Sequence, residues 1–278
     1  MRQQERRDAN MNQEDFHALS ARDIKDLFKE ELSFEYVRWA QEDNRKAVQQ
    51  LAISYMRKQE RLLKDKLHSD EMYLYEKSFY EEEKFLVAGV DEVGRGPIAG
   101  PVTVAAVILP PMLYIPGLND SKKLSPKKRD ELYDIIMQEA VSVSVVSLSS
   151  EVIDKLNIYE ATKQAMYEAL LTLDVSPEAV LVDAMPLKEL PVPVESIIKG
   201  DSKSASIAAA SVVAKVTRDR YMESMEDVYP GFGFAEHKGY YTALHKEAIE
   251  DLGITPIHRK SFEPIRTIVG WDGLDEVD

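Results

Sequence analysis

Along residues 16–80 apolar side chains recur at helical spacing among charges, as in LAISYMRKQERLLKDKL, with no Gly or Pro to interrupt them. This predicts a helical N-terminal extension. It ends in the acidic run 81–83, where the composition turns β-branched and glycine-rich, so the pattern divides the chain into an extension (1–82) and a second domain (83–278).

Past that boundary the periodicity changes. KFLVAGVDEV reads as a buried strand, residues 102–109 as a second, and AVSVSVVSLS alternates with period two as a half-buried third. Between the second and third, Ser125 is placed to cap a helix that starts at Pro126 and turns Leu132, Ile135, Ile136 and Ala140 to one face. A helix over 159–173 leads to AVLVDAM, an apolar run ending in Asp183 that suits a strand buried on both faces. VESIIKG is a weaker strand. SASIAAASVVAKVTRDRYMESM then predicts a long helix whose first turns carry small residues, and a last helix stops near Gly253. Strands first and alternating helices and strands later predict an α/β domain on a mixed sheet.

Composition narrows the function classes. The longest apolar run, around 102–111, is too short to span a bilayer, and the start MRQQERRDAN lacks the apolar core of a signal peptide. No cysteine is present, so disulfides and thiolate zinc sites are excluded, as suits a cytoplasmic protein; a monomer is expected. The net charge of -14 argues against polyanion partners only weakly, because local patches decide binding. SKKLSPKKR, 121–129, is the densest basic patch, with smaller ones near Arg218 and Arg259.

The stretch VAGVDEVGRGPIAGPV places Asp91 and Glu92 between a strand and a glycine-rich turn. Gly94, Gly96 and Gly100 do not match dinucleotide spacing, and a strand follows them rather than a phosphate-binding helix, which disfavours a nucleotide-binding regulator. Asp91 and Asp183 both close apolar strands, where open α/β sheets collect ligands, and Asp201 follows the next apolar segment. If the strands that end in Asp91 and Asp183 are parallel neighbours, these acids converge. So many carboxylates at one point require cations, and oxygen ligands without Cys or clustered His favour Mg²⁺ or Mn²⁺ over zinc. His237 and His245 lack a zinc-site pattern. Taken singly, each acid also reads as a cap or turn residue.

Together GVDEVGRGPIAGPV, LNDSKKLS, VDAM, KGDSKSASIAAASVVAKVTRDR, YPGFGFAEHKGYYT and TPIHRKSF resemble, in order, the signature segments of bacterial type 2 ribonuclease H, from about residue 86 to 262. The resemblance implies a ribonuclease H-like fold: a central mixed five-stranded sheet flanked by helices, with C-terminal helices contributing to substrate binding. It implies an endonuclease that cuts RNA paired to DNA, and the 5′ side of ribonucleotides embedded in duplex DNA, leaving 3′-hydroxyl and 5′-phosphate ends. It assigns Asp91, Glu92, Asp183 and Asp201 to a two-metal site holding Mn²⁺ or Mg²⁺, with Asp219 competing for the fourth place. Gly94, Arg95 and Gly96 become a ribose-sensing turn, Tyr240 or its neighbour Tyr241 stacks on a sugar, and Lys122, Lys123, Lys203 and Ser204 face the strand. Another metal nuclease of the same architecture, or a non-catalytic nucleic-acid binding module, remains the alternative.

Overall fold

The computed structural model describes residues 11–30 and 32–273. The extension forms the helices α1 (Gln13–Ala18), α2 (Ala21–Leu27), α3 (Phe34–Glu42), α4 (Lys46–Met72) and α5 (Leu74–Tyr80). Asn12 and Ser20 cap the first two by accepting from the Asp15 and Asp23 N–H groups. Phe16, Ile24, Tyr36, Val37, Ala40, Val48 and Ala52 close a small core of their own.

The remainder runs β1 (Val87–Val93), β2 (Val102–Ile108), α6 (Pro126–Glu139), β3 (Ser142–Leu148), α7 (Ser150–Leu156), α8 (Ile158–Leu171), β4 (Ala179–Asp183) and β5 (Val194–Ile197). It continues with α9 (Ala205–Val228), α10 (Phe234–His237), α11 (Ala243–Leu252) and α12 (Ile265–Val269). Single 3₁₀ turns at Ser121–Lys123 and Gly200–Ser202 precede α6 and α9. The sheet order is β3-β2-β1-β4-β5. β1 and β2 pair antiparallel, as do β2 and β3, whereas β1 pairs parallel with β4 and β4 with β5. The expected mixed five-stranded sheet is thus present, and β1 and β4 are parallel neighbours.

Alternation along β2 divides the core. Ala105 and Val107 pack in one cluster with Ala208, Ala209 and Val212 of α9, while Val104, Ala106 and Ile108 join Ala165, Met166 and Ala169 of α8 in another. Small residues on α9 let its backbone come close to β1 over Gly89. The short α7 went unforeseen because its cap, Ser149, belongs to a sequence that reads as the end of a strand; its hydroxyl instead accepts from the Val152 N–H.

Backbone contacts cluster into two compact units that divide between His68 and Ser69. The reason is burial. Met72 and Tyr73 lie in the cluster with α9, and Glu76 accepts at Oε1 from Ser204 Oγ (2.6 Å) and the Ser206 N–H (2.9 Å). Helical charge periodicity continues through residues 69–80 although Met72, Tyr73 and Glu76 pack with α9.

Candidate active site

Parallel pairing of β1 with β4 sets Val90 opposite Val182, so the next residues, Asp91 and Asp183, lie side by side where that pairing stops; β4 ends there, while β1 runs two residues further beside β2. The Gly200–Ser202 turn carries Asp201 to the same point, and carboxylate oxygens of Asp91, Asp183 and Asp201 lie within 4.8 Å of one another. The Gly200 N–H donates to Asp183 Oδ1 at 2.7 Å, and the Glu92 N–H to Asp91 Oδ1 at 2.7 Å. Ser211 of α9 hydrogen-bonds Asp91, and its hydroxyl also meets that of Ser121 at 2.8 Å.

Packing like charges here has an electrostatic cost. Burial, then Glu92 and Asp183, push Asp91 well above the usual carboxylate range, against the hydrogen bond from Ser211. Asp201 is raised by burial and by Asp120 and Asp183, with Lys122 opposing. Three converging carboxylates, of which the buried Asp91 and Asp201 resist ionisation, are a donor set that a divalent cation satisfies, and their all-oxygen chemistry fits Mg²⁺ or Mn²⁺.

Of the four acids expected here, Asp91, Asp183 and Asp201 bring oxygens within 4.8 Å of one another, and Glu92 lies close enough to raise Asp91 and to be raised by Asp183. Glu92 follows Asp91 on a strand, so its side chain leaves the opposite face. It turns toward Arg95, whose Nη1 lies 3.5 Å from Glu92 Oε1. It still belongs to the site's electrostatics, since burial and Asp183 raise its pKa while Arg95 opposes them. Asp219 is not part of the cluster: it pairs with Lys215 at 2.8 Å and Arg129 at 4.0 Å. Sequence reasoning passed over Asp120, inside LNDSKKLS, which accepts from the Lys122 N–H at 2.9 Å and borders Asp201.

Lys122 reaches Asp201 Oδ2 at 3.5 Å, yet 78% of its side chain is exposed; Lys123 and Lys203 are exposed beside it, so these lysines form a cationic rim. Ser204 does not join them. It is buried, caps α9 by accepting from the Ile207 N–H and donates to Glu76, which leaves no hydrogen for a substrate. Its expected role facing the strand is corrected to a structural one.

The glycine turn lies next to this rim. Gly94 adopts φ +92°, and a Cβ there would be 2.3 Å from Arg218 Nε, so only glycine fits. Gly96 differs: an added Cβ would meet only the Tyr240 ring, at 3.6 Å. Its missing side chain keeps space open toward Tyr240 instead of relieving the fold. Tyr240 and Tyr241 are equally exposed, at 46%, but it is Tyr240 that faces the turn.

Behind Tyr240 lie buried histidines whose hydrogen-bond directions are fixed by backbone donors. The Thr255 N–H donates to His258 Nδ1 (2.9 Å), so the proton of the neutral ring is on Nε2, which donates to His245 Nε2 (3.0 Å). His245 Nδ1–H in turn donates to the Tyr240 carbonyl (2.9 Å). Burial lowers both rings to about 4, and neighbouring histidines reinforce it. A folded-state pKa below the unfolded value means that neutral rings stabilise above pH 6.5 and that this contribution is lost as pH falls toward 4. Each ring is worth at most roughly 3 kcal/mol. The raised carboxyls titrate in the opposite sense, so the rings are best followed individually: imidazole ¹⁵N shifts should show His245 and His258 neutral at pH 5.5. Half-protonation of either ring near pH 6.5 would break the assigned relay.

The family model for Ribonuclease HII matches residues 88–265, and that for the Ribonuclease HII N-terminal domain matches residues 20–80. The chain is 52% identical over 227 residues to a Ribonuclease HII of Bacillus cereus, covering 82% of this chain and 88% of that protein; the figures for the Ribonuclease HII of Bacillus thuringiensis (strain Al Hakam) are the same. Among solved structures, ribonuclease H2 from Pyrococcus horikoshii OT3 superposes with a TM-score of 0.58 at 28% identity, covering 66% of this chain and 96% of that one. The RNase HII in a PCNA complex from Archaeoglobus fulgidus gives 0.53 at 29% identity, over 64% and 95%.

Proposed function

The chain belongs to the ribonuclease HII family, whose members are endoribonucleases, and from that premise we propose that it cuts RNA paired to DNA and the 5′ side of single ribonucleotides within duplex DNA, with Mg²⁺ or Mn²⁺. The observation that carries this reading is the convergence of Asp91, Asp183 and Asp201 beside a glycine turn faced by a tyrosine. A pure binder of polyanions gains nothing from such acids.

Asp91, Asp183 and Asp201 hold the cations, with Glu92 at their edge. Divalent ions bound there supply Lewis-acid stabilisation of phosphate oxygens and acidify water. Lys122, Lys123 and Lys203 attract the backbone phosphates, which makes binding salt-dependent. The Gly94–Arg95–Gly96 turn and Tyr240 bracket the sugar whose 2′-hydroxyl distinguishes RNA from DNA. The direct test incubates the protein and Mg²⁺ or Mn²⁺ with a duplex carrying one ribonucleotide, beside an all-DNA control. Cleavage of neither, or of both alike, would refute the reading.

The two sides of this crevice should respond differently to substitution. Tyr240→Ala is expected to slow cleavage at a lone ribonucleotide about ten- to a hundredfold, the worth of a lost buried contact, and to affect a continuous RNA stretch less. Gly96→Ala should impair both substrates while melting like the parent, because its methyl meets only the Tyr240 ring, at 3.6 Å. Equal losses on both substrates for Tyr240→Ala would remove the junction-sensing role from this tyrosine.

A further inference from the structure

The turn over Gly94–Pro101 is gripped from inside by two arginines that sequence reasoning valued only as basic patches. Arg259, with no solvent exposure, donates from Nη2 to the Gly94 carbonyl (2.6 Å), from Nη1 to that of Arg95 (3.1 Å), and from Nε and Nη2 to that of Gly100 (3.0 and 2.8 Å). Arg218, equally buried, donates to the carbonyls of Ala99 (3.1 Å), Pro101 (2.8 Å) and Lys238 (3.0 Å), tying the turn to the segment that leads into Tyr240.

Neither guanidinium has a carboxylate within ion-pairing distance among the described residues. Burial lowers Arg218 to about 10 and Arg259 to about 9, so both are cations at neutral pH. Burying unpaired cations costs more than an apolar filling of similar volume. What apolar side chains cannot do is fix the direction of several peptide groups at once, and the planar fork of arginine does so.

Direction matters because of peptide geometry. In a trans peptide the C=O and the following N–H point oppositely. Both peptides are trans, the cis bond being Glu263–Pro264. With the Gly94 and Arg95 carbonyls drawn inward to Arg259, the Arg95 and Gly96 N–H groups project outward on two exposed residues. Neither N–H has an acceptor among the described residues. A cation on each carbonyl also polarises its peptide, making the N–H a stronger donor.

We propose that Arg259, backed by Arg218, is the positioning residue for substrate discrimination: it aims the Arg95 and Gly96 N–H groups at the 2′-oxygen of a ribonucleotide. This rests on the functional reading given above. In the Asp183→Asn background, which keeps the duplex intact, affinities are compared for duplexes with and without one ribonucleotide. Arg259→Lys retains the charge but not the fork, and it should narrow the preference for the ribonucleotide about tenfold, the worth of a hydrogen bond, through weaker binding of that duplex alone. An undiminished preference in folded Arg259→Lys overturns the positioning role, as does an equal loss on both duplexes, which marks mere structural support. If Asp183→Asn alone shows no preference, the functional reading has failed first. Amide exchange on Asp183→Asn with Arg259 intact serves if Arg259→Lys does not fold. The Arg95 and Gly96 N–H groups should exchange fast when free and be protected only by the ribonucleotide duplex; protection in the free protein overturns the proposal.

Discussion

Asp183→Asn is expected to lower cleavage at least a thousandfold, about 4 kcal/mol of transition-state stabilisation, while binding of the same duplex stays level or tightens. The side chain closes β4 with its oxygens within 4.8 Å of those of Asp91 and Asp201, so an amide in its place leaves the group short of one negative charge and one anionic ligand. Binding moves the other way because the lost charge repels phosphate. Stability should also rise in the metal-free protein, since Asp183 raises the pKa of Asp91, Glu92 and Asp201 alike; removing it relieves a mutual repulsion that the native chain tolerates for function. Single-turnover cleavage, duplex affinity and melting temperature, measured on one preparation, check all three. Turnover within tenfold of the parent would remove Asp183 from the catalytic group.

Much of this arrangement was legible because two periodicities carried it. Apolar runs ending in Asp91 and Asp183 predicted strands whose ends carry acids, and the parallel pairing of β1 with β4 supplied the convergence that spacing left conditional. Position favoured Asp201 over Asp219, since the one follows a strand and the other lies well into a helix, where it is paired along α9 with Lys215. Direction was harder to read. The resemblance groups Glu92 with Asp91 without saying that the pleat gives the two side chains different directions, and a motif letter such as Ser204 does not say that its hydroxyl is already committed to a helix cap. Arg218 and Arg259 escaped for a related reason. A lone arginine in a charged sequence reads as surface, and only the fold shows Arg259 making four hydrogen bonds to turn carbonyls and Arg218 two more.

The glycines make the same distinction between fold and site, and Gly89→Ala carries the largest expected loss of stability. A Cβ on Gly89 would lie 2.0 Å from the Ser206 carbonyl carbon and 2.3 Å from the Ile207 nitrogen. Those are backbone atoms of α9's first turn, so no side-chain rotation relieves the clash; the helix must move off the sheet by more than an ångström. That turn is held on its far side by Glu76, which accepts from Ser204 and Ser206, and the Gly200–Ser202 turn carrying Asp201 leads straight into it. A displaced α9 therefore drags one acid away from the other two and opens the cluster in which Ala208, Ala209 and Val212 face β2. Overpacking in a core that can adjust costs roughly 1 to 3 kcal/mol. With backbone on both sides the expected loss exceeds about 4 kcal/mol, or a fall in melting temperature of roughly 8 to 16 °C for a domain of this size. Gly96→Ala is the matched control, since it adds the same methyl next to the same site without meeting backbone. Circular dichroism melts should separate the two variants cleanly, with cleavage lost in both. A Gly89→Ala protein that melts with the parent would show that α9 stands farther from β1 than the close approach at Gly89 requires.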